Sequence, residues 1–211
     1  MTATRTQQTR RGPGRPPADA SLPELEEIMQ RGLEAFAEVG YEAVSVRQLN
    51  ERLGMGHTFI HDRYGSKEAF WKAVVAHAIG QITTEVLAAQ EQQDAGDDLA
   101  QLAASVRAFH QAGSRRPHLG RVVDYEAGRD SARLAYLYEL MGPLTSAARP
   151  VFERLVRDGT LRDIPWYLFH FMITKPLAMY GQSPLARLFG RPDDADDHAL
   201  MSTLVLNGLL T

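Results

Sequence analysis

The stretch from Ser45 to Lys67 constrains the fold of this chain more than any other, because it predicts two short helices joined by a tight turn. Ser45 and the glutamine three residues later form a capping box, which starts a helix. Apolar residues then recur at helical spacing as far as Leu53, and Gly54 ends the helix because a left-handed C-terminal position costs glycine little. A second short helix is expected over roughly residues 56–64. This order is a helix-turn-helix, in which the second helix enters the major groove of DNA.

A third and much longer helix is expected directly after this motif. Ser66 is placed to cap it, and its apolar residues continue at helical spacing to about Ala89. These apolar residues are Phe70, Trp71, Val74, Val75, Ala78, Ile79, Ile82 and Val86. At ~1.5 Å per residue such a helix is about 35 Å long, which is more than a small three-helix module needs. We therefore expect it to link the helix-turn-helix mechanically to the rest of the chain.

With the residues before it, this stretch resembles the N-terminal domain of the TetR/AcrR family of one-component transcriptional regulators. The matching pieces are Phe36 with Gly40-Tyr41, Ser45-Val46-Arg47, Leu53-Gly54-Met55 and Ser66-Lys67-Glu68. They lie in the family's order and at its spacing, over roughly residues 28–75. The resemblance implies an all-α protein, with an N-terminal three-helix DNA-binding module joined to a larger helical domain for ligand binding and dimerisation.

The composition excludes several classes of protein. The 211 residues are 44% hydrophobic and 23% charged, which is typical of a soluble globular chain. Cysteine is absent, so disulfides and thiolate zinc sites are excluded. No apolar run approaches the roughly 18 residues of a membrane span, and the polar N-terminus is unlike a secretory signal. We therefore expect a cytoplasmic, nucleoid-associated protein with no membrane partner.

Positive charge is concentrated at the N-terminus, although the net charge is −3. Four arginines precede the first acidic residue, Asp19. Residues 1–20 should be disordered in isolation, and the segment 11–17 partly resembles the AT-hook, whose Arg-Gly-Arg-Pro core lies in the minor groove. Because an extended basic arm can follow the minor groove, Arg15 is expected to touch DNA. The alternative is a solvated tail without a role.

The chain is expected to divide into three parts. Residues 1–20 form the basic arm, residues 21–68 the helix-turn-helix DNA-binding domain, and residues 69–211 the helical ligand-binding and dimerisation domain. In the second part, Ser21 is expected to cap the first helix and Gly40 to end it. The expected inward face of this first helix is Leu25, Ile28, Met29 and Phe36.

The third part predicts helices and no strand pattern. Shorter helices are expected over residues 99–111 and 118–128, and a long helix over 130–158 should be divided or kinked by its two prolines. Residues 164–180 are apolar all round, which is typical of a helix buried on both faces, and the last helix is expected over 194–210. The family resemblance implies that the last two long helices pair with those of a second copy. The alternative is that they fill the core of a monomer.

Nine residues are predicted to contact DNA. They are Arg15, Ser45, Arg47, His57, Thr58, Phe59, His61, Arg63 and Lys67. The family uses the position of Arg47 for a base or phosphate contact, and arginine can bridge two acceptors on guanine. His57 and Thr58 lie at the exposed start of the recognition helix and can exchange hydrogen bonds with base edges. Arg63 and Lys67 are phosphate candidates, the latter at a helix N-terminus that favours anions.

Three positions depart from the family pattern. Phe59 stands where threonine is common, and its ring can pack on thymine methyl groups or turn into the module core. His61 stands where the family usually has a phosphate-binding tyrosine, and Asn50 replaces a small residue and is expected to lie half-buried against the turn. His57 and His61 have the spacing of two metal ligands, but Thr58 stands where a zinc-protease motif needs glutamate. With no third ligand evident, no metal site and no cofactor is predicted.

Aromatic and sulfur-containing side chains of the third part suit a pocket for a mostly apolar small molecule. The candidate pocket residues are Phe109, Tyr136, Met141, Trp166 and His170. His170 is the best polar candidate, because the stretch around it is otherwise apolar. The alternative is that all five are ordinary core residues.

Together these features predict a ligand-responsive DNA-binding transcriptional regulator. Its simplest form is a repressor that binds a pseudo-palindromic operator as a homodimer and is released by a small, mostly apolar effector. An enzyme is not expected, because the sequence has no glycine-rich phosphate loop, no nucleophile elbow and no paired set of carboxylates and histidine. The alternative is an all-helical small-molecule-binding protein or enzyme with no sequence-specific DNA role.

Overall fold

The computed structural model describes residues 24–211, and throughout this range the regular secondary structure is helical. The helices are α1 (Leu25–Val39), α2 (Val46–Leu53), α3 (Phe59–Tyr64), α4 (Lys67–Glu91), α5 (Asp98–Ser114), α6 (Pro117–Ala127), α7 (Ala132–Leu140), α8 (Gly142–Arg157), α9 (Trp166–Thr174), α10 (Ala178–Gly181), α11 (Ser183–Leu188) and α12 (His198–Leu209), with a 3-10 turn at Lys175–Leu177. The predicted all-α fold is confirmed. The basic arm, with Arg15, and the predicted cap Ser21 lie outside the described residues.

The first helix agrees with its predicted pattern except at its start. α1 begins at Leu25, with Glu24 at the N-cap, and Gly40 follows it with a positive φ of 84°. Ile28, Met29 and Phe36 are buried as expected. Leu25 is exposed, because it lies in the first turn of the helix, beyond the edge of the core.

The helix-turn-helix forms as predicted, but its second helix is shorter. Ser45 and Gln48 make the capping box of α2, and Gly54 ends that helix in the left-handed conformation, with φ 71° and ψ 25°. The second helix, α3, begins at Phe59 instead of near residue 56, and the two residues before it form a turn. His57 and Thr58 therefore precede the recognition helix and do not form its first turn.

The long helix α4 joins the helix-turn-helix to the rest of the molecule. It runs for 25 residues, about 37 Å at ~1.5 Å per residue, and Ser66 caps it by accepting the Ala69 N–H at 3.0 Å. All eight of the apolar residues from Phe70 to Val86 named above are buried. One apolar cluster runs from Ile28 of α1 along α4 to Leu137 of α7, so the expected boundary between residues 68 and 69 falls within a continuous helix and a continuous core.

The predicted long helix over residues 130–158 is two helices. α7 ends at Leu140 and α8 begins at Gly142, with Pro143 in the first turn of α8, where a missing N–H has no partner to lose. Pro150 lies inside α8 without dividing it. On α7 only Leu137 is buried, and the neighbouring Tyr138 is exposed.

The prediction of one helix buried on both faces over residues 164–180 is wrong. α9 ends at Thr174, and a 3-10 turn containing Pro176 separates it from α10, because proline cannot continue the backbone hydrogen bonds. Phe169 and Ile173 are buried, but Tyr167 and Phe171 are exposed, so the apolar outer face of α9 is uncovered within one chain. Among residues 24–211, no helix is both long and apolar enough to cross a membrane.

Candidate nucleic-acid interface

The turn between α2 and α3 is held by backbone hydrogen bonds and by α1. The Met55 N–H donates to the Asn50 carbonyl at 2.9 Å, and the Gly54 N–H donates to the Glu51 carbonyl at 3.0 Å. From α1, the Arg31 guanidinium donates to the carbonyl of Leu53 at 3.1 Å, which satisfies a carbonyl at the C-terminal end of α2. The turn is thus fixed from both sides before any DNA is bound.

Most of the predicted DNA-contact residues are exposed on this module. Arg47 of α2, His57 and Thr58 before α3, and His61 and Arg63 on α3 all lie at the surface. His57 and Thr58 lie in the turn that leads into α3, and His61 lies in the first turn of that helix. The arrangement offers hydrogen-bonding groups at the N-terminal end of the recognition helix and positive charge farther along it.

Ser45 and Phe59 have contacts of their own within the module. The Ser45 hydroxyl accepts the Gln48 N–H at 3.2 Å and lies 2.8 Å from Gln48 Oε1, so its main role in the structure is to cap α2. Phe59 is half-buried and packs edge-on against Tyr64, with 6.1 Å between ring centroids. The Phe59 ring was predicted to face either DNA or the module core, and in this structure it packs against the core.

Lys67 is half-buried and bound inside the module. Its ammonium donates to the carbonyls of Tyr41 and Val44, at 2.9 and 3.0 Å, and lies 4.4 Å from the centroid of the Tyr41 ring. Two of its three N–H groups are therefore engaged in holding the α1–α2 loop to the start of α4. The predicted phosphate contact would use the third.

Asn50 is the residue of this interface whose importance the sequence understated. It is 1% exposed, and its side chain contacts the backbone on both sides of the predicted base-contacting residues. Nδ2 donates to the His57 carbonyl at 2.6 Å, and Oδ1 accepts the Ile60 N–H at 3.2 Å. A polar residue in a core position of an otherwise apolar helix pattern was the available signal.

A cluster of four residues, which we call the Arg133 latch, connects the module to α6 and α7. Its members are Tyr41, Glu42, Glu126 and Arg133. Arg133 of α7 donates to Glu126 at 2.9 Å and to Glu42 at 2.7 Å, and its guanidinium carbon lies 4.0 Å from the Tyr41 ring centroid. Glu126 is 1% exposed, so its carboxylate depends on this arginine for compensation. Burial raises the pKa of the Tyr41 phenol, so the ring stays neutral between its two cations.

Close packing supports the same connection. A Cβ placed on Gly40 would lie 3.3 Å from the Tyr125 ring of α6, and Arg129 covers that ring at 3.9 Å. The α1–α2 loop is therefore in contact with the larger domain through α6 and α7 as well as through α4.

The five predicted pocket residues do not line one cavity. Tyr136 packs against Trp71, with ring centroids 6.3 Å apart, whereas Trp166 packs against Phe152 and Phe169 in a second apolar cluster. Phe109 touches both clusters, and Met141 and His170 are half-buried. Burial lowers the pKa of His170, and the nearby Lys175 charge acts in the same direction.

An open groove of about 830 Å³ lies elsewhere, between the 176–192 segment and α12. Its lining includes Met179, Leu185, Phe189, Leu200, Met201 and Leu204, and none of the five predicted pocket residues. The groove is mostly apolar and opens to the surface.

His110 is a second buried polar residue that the sequence did not single out. It is fully buried on α5, with Nε2 2.8 Å from the Ile173 carbonyl and Nδ1 2.9 Å from the Ser202 hydroxyl. Because a carbonyl can only accept, Nε2 carries the proton, while the single proton of the Ser202 hydroxyl is shared between Nδ1 and the His198 carbonyl 2.7 Å away. Burial lowers the pKa of His110, and the imidazole ties α5 to α9 and α12 in its neutral form.

No group of three or more potential metal ligands occurs in the described range, residues 24–211. The histidines at 57 and 61 remain an exposed pair facing solvent. The interface therefore consists of hydrogen-bonding and cationic side chains.

Comparison with known proteins finds a family match for this module. Residues 28–74, from α1 into α4, match the model of the bacterial regulatory proteins of the tetR family. The DNA-binding module is therefore similar to that of the tetR family. No curated protein sequence is matched by the chain.

Solved structures share this TetR fold over most of their length. A TetR-family transcription regulator from Marinobacter aquaeolei VT8 is 16% identical, with a TM-score of 0.68 over 88% of this chain and 94% of that chain. The transcriptional regulator FadR from Bacillus subtilis, solved with stearoyl-CoA, is 16% identical, with a TM-score of 0.68 over 89% of this chain and 98% of that chain. AibR, solved with isovaleryl coenzyme A and operator DNA, is 13% identical, with a TM-score of 0.69 over 88% of this chain and 97% of that chain.

Proposed function

We propose that this chain is a ligand-responsive transcriptional repressor that binds a pseudo-palindromic operator as a homodimer. The observation that carries the proposal is the exposed start of α3. His57 and Thr58 are exposed in the turn before α3, and His61 is exposed in its first turn. The turn between α2 and α3 is held by hydrogen bonds, and Arg47 is exposed on α2. Two such modules on a two-fold axis would place their recognition helices about 34 Å apart, in successive major grooves.

The proposed dimer uses the uncovered apolar surface of the C-terminal helices. Leu200 and Leu204, one turn apart on α12, are 60% and 63% exposed, and Phe189 after α11 is 85% exposed. These side chains border or line the groove described above, so a second copy related by a two-fold axis could fill it with the same residues. Exposed leucine and phenylalanine in one patch are typical of such a partner surface.

The proposed switch acts through α4. An effector bound among the helices of the larger domain would shift α4, whose first residues follow the recognition helix directly, and so change the separation of the two modules. For release, the effector must bind the DNA-incompetent arrangement more tightly than the competent one. A hundredfold loss of operator affinity requires a coupling free energy of about 2.7 kcal/mol.

The proposed effector is small and mostly apolar. FadR and AibR, which share the fold, were solved with acyl-coenzyme A ligands. These structures support acyl-coenzyme A thioesters as the first compounds to screen, with free fatty acids and short carboxylic acids as controls for the contribution of the coenzyme.

The alternative is an all-helical small-molecule-binding protein or enzyme whose helix-turn-helix has no sequence-specific role. The match of residues 28–74 to a family of bacterial regulatory proteins favours the regulator. Selection from random DNA discriminates between the two proposals, since only the regulator would enrich a palindrome.

The test is selection of bound duplexes from a random DNA pool at near-physiological salt, followed by sequencing. A regulator recovers one pseudo-palindrome. The matched control is Arg47→Ala. This variant should bind the selected site more weakly by about 1–3 kcal/mol and should lose preference for one base at one position of that site. Its binding to random duplexes should be nearly unchanged. Recovery of no sequence by folded protein, both as purified and after unfolding, dialysis and refolding to remove copurified ligand, would contradict the proposal.

A further inference from the structure

The recognition helix α3 lacks a cap from its own N-terminal residue. Thr58 occupies the N-cap position, but its backbone is in the helical region, with φ −96° and ψ −8°, and its side chain caps no N–H. An N-cap side chain normally accepts from the second or third residue of the helix, which requires an extended backbone. The second residue of α3 is Ile60, whose buried N–H has no partner within the helix, as is usual for a first helical turn.

Asn50 of the preceding helix takes over this capping role. Its Oδ1 accepts the Ile60 N–H at 3.2 Å, while its Nδ2 donates to the His57 carbonyl at 2.6 Å. The Asn50 backbone carbonyl also accepts the Met55 N–H, which closes the turn. One residue of α2 therefore fixes the turn, the segment before α3 and the first turn of α3.

The two side-chain bonds bracket the residues that face DNA. His57 and Ile60 are the backbone partners, and the exposed His57 and Thr58 side chains project from the segment between them. Since Asn50 is 1% exposed, water cannot replace the amide at low cost. Loss of the amide would free the segment to change its backbone angles without unfolding α4 or the apolar core.

We propose that Asn50 is a specificity-determining positioning residue, which sets the geometry of the base-contacting segment 57–61 without touching DNA itself. This inference rests on the proposed function. Its signature is a loss of discrimination between operator and random DNA, because phosphate contacts tolerate small displacements and base-edge hydrogen bonds do not.

The test compares three full-length variants. Asn50→Ala removes both side-chain bonds, Asn50→Asp keeps an acceptor for the Ile60 N–H and loses the donor to the His57 carbonyl, and Glu51→Ala changes the adjacent exposed residue of α2 as a control. Each is measured for affinity to the selected operator and to a random duplex of equal length, at a temperature where circular dichroism shows it folded. Amide hydrogen exchange at Ile60 is followed by NMR, with Val75 of α4 as an internal reference.

We expect Asn50→Ala to weaken operator binding about tenfold, with random-duplex binding changed less than about twofold. Ile60 exchange should accelerate at least tenfold, and Val75 exchange should not change. Asn50→Asp should protect Ile60 as in the natural chain, while operator binding falls about threefold, and Glu51→Ala should keep the operator-to-random ratio.

Two results would overturn the role of Asn50: an operator-to-random ratio that is unchanged in folded protein, whether or not both affinities fall, or unchanged exchange at Ile60. If Asn50→Ala does not fold, Asn50→Asp decides, and a ratio like that of the natural chain would refute the inference. Failure of the natural chain to select any operator refutes the proposed function instead, so the two failures are distinguishable.

Discussion

At the scale of single residues, Lys67 combines two roles that measurement can separate. Lys67→Met keeps the aliphatic stem but removes the charge that holds the carbonyls of Tyr41 and Val44. We expect the free energy of unfolding to fall by about 1–3 kcal/mol, because hydrogen bonds from a charged donor are lost. If the third N–H also contacts a phosphate, the slope of log affinity against log salt should flatten by about 0.9.

The matched control for Lys67 is Arg63→Met. Arg63 is exposed on α3, so its loss should flatten the salt slope without changing chemical denaturation. A Lys67→Met protein with the natural salt slope would exclude the phosphate role, and one with the natural denaturation midpoint would exclude the loop-holding role.

Side-chain contacts of this kind explain why residue-level prediction was incomplete. The capping pair Ser45 and Gln48 is local, so its spacing in the sequence was sufficient to predict it. The partners of Lys67 lie more than twenty residues away, and those of Asn50 lie before and within the next helix, so both sets depend on how the helices pack. The predicted contacts with DNA remain predictions, since they depend on a partner molecule.

At the scale of helices, the Arg133 latch should contribute far more to stability than exposed ion pairs do. Arg133→Leu leaves the Glu126 carboxylate buried without a compensating charge. The free energy of unfolding, measured by urea denaturation, should therefore fall by about 3–5 kcal/mol. Glu126→Gln in the same chain should recover most of that loss, because a neutral amide replaces the buried charge.

Arg149→Leu provides the comparison for this prediction. Arg149 pairs with Glu153 one turn along α8, and both side chains are about half exposed. The substitution should therefore lower the free energy of unfolding by less than about 1 kcal/mol. If Arg133→Leu and Arg149→Leu lowered the free energy of unfolding equally, burial of Glu126 would not increase the cost of breaking its ion pair.

His110 should make the association of α5, α9 and α12 sensitive to acid. Its pKa in the folded protein is lowered from the ordinary 6.5, mainly by burial, while the unfolded chain keeps the ordinary value. Below pH 6.5 the unfolded chain therefore binds more protons, so stability falls as the pH decreases. In denaturation between pH 7.5 and about 5, His110→Gln should show a shallower loss of stability than the natural chain.

His61→Gln is the control for the pH dependence. His61 is exposed on α3, so this variant should keep the pH dependence of the natural chain. An identical pH dependence in His110→Gln would show that other groups cause the acid sensitivity.

Helix prediction succeeded where the pattern repeats and failed where the environment decides. The extent of α4 was predicted to within two residues at each end, because a long helix repeats its apolar spacing many times. The segment 164–180 was predicted wrongly because its all-round apolar composition fits burial in one chain and burial between two chains equally well. The separation into α9, a 3-10 turn and α10 follows from Pro176.

At the scale of the whole molecule, the exposed leucines of α12 make the proposed dimer testable. Leu200→Asp combined with Leu204→Asp places charges in the centre of the proposed interface. The dimer dissociation constant, measured by sedimentation equilibrium, should rise at least a hundredfold (about 2.7 kcal/mol), since each buried leucine contributes ~1.5–3 kcal/mol. Operator binding should weaken with it, because a monomer contacts one half-site.

Leu25→Asp is the matched control for this interface. Leu25 is also an exposed leucine, but it lies on α1, away from the groove lined by α12. It should leave the dissociation constant unchanged. A double Leu200 and Leu204 variant that sediments like the natural chain would place the proposed interface elsewhere.

The Arg133 latch also limits which parts of this protein can be joined to parts of another protein in a chimera. A chimera that joins residues 21–68 to the effector domain of another regulator would leave Glu42 and Tyr41 without Arg133, and Gly40 without the ring of Tyr125. The transplanted DNA-binding module would contact the surface of a different protein and would lose its second connection to the larger domain. A biosensor built from this protein should therefore keep the whole chain. Alternatively, segment 125–133 of α6 and α7 should be transferred together with residues 21–68.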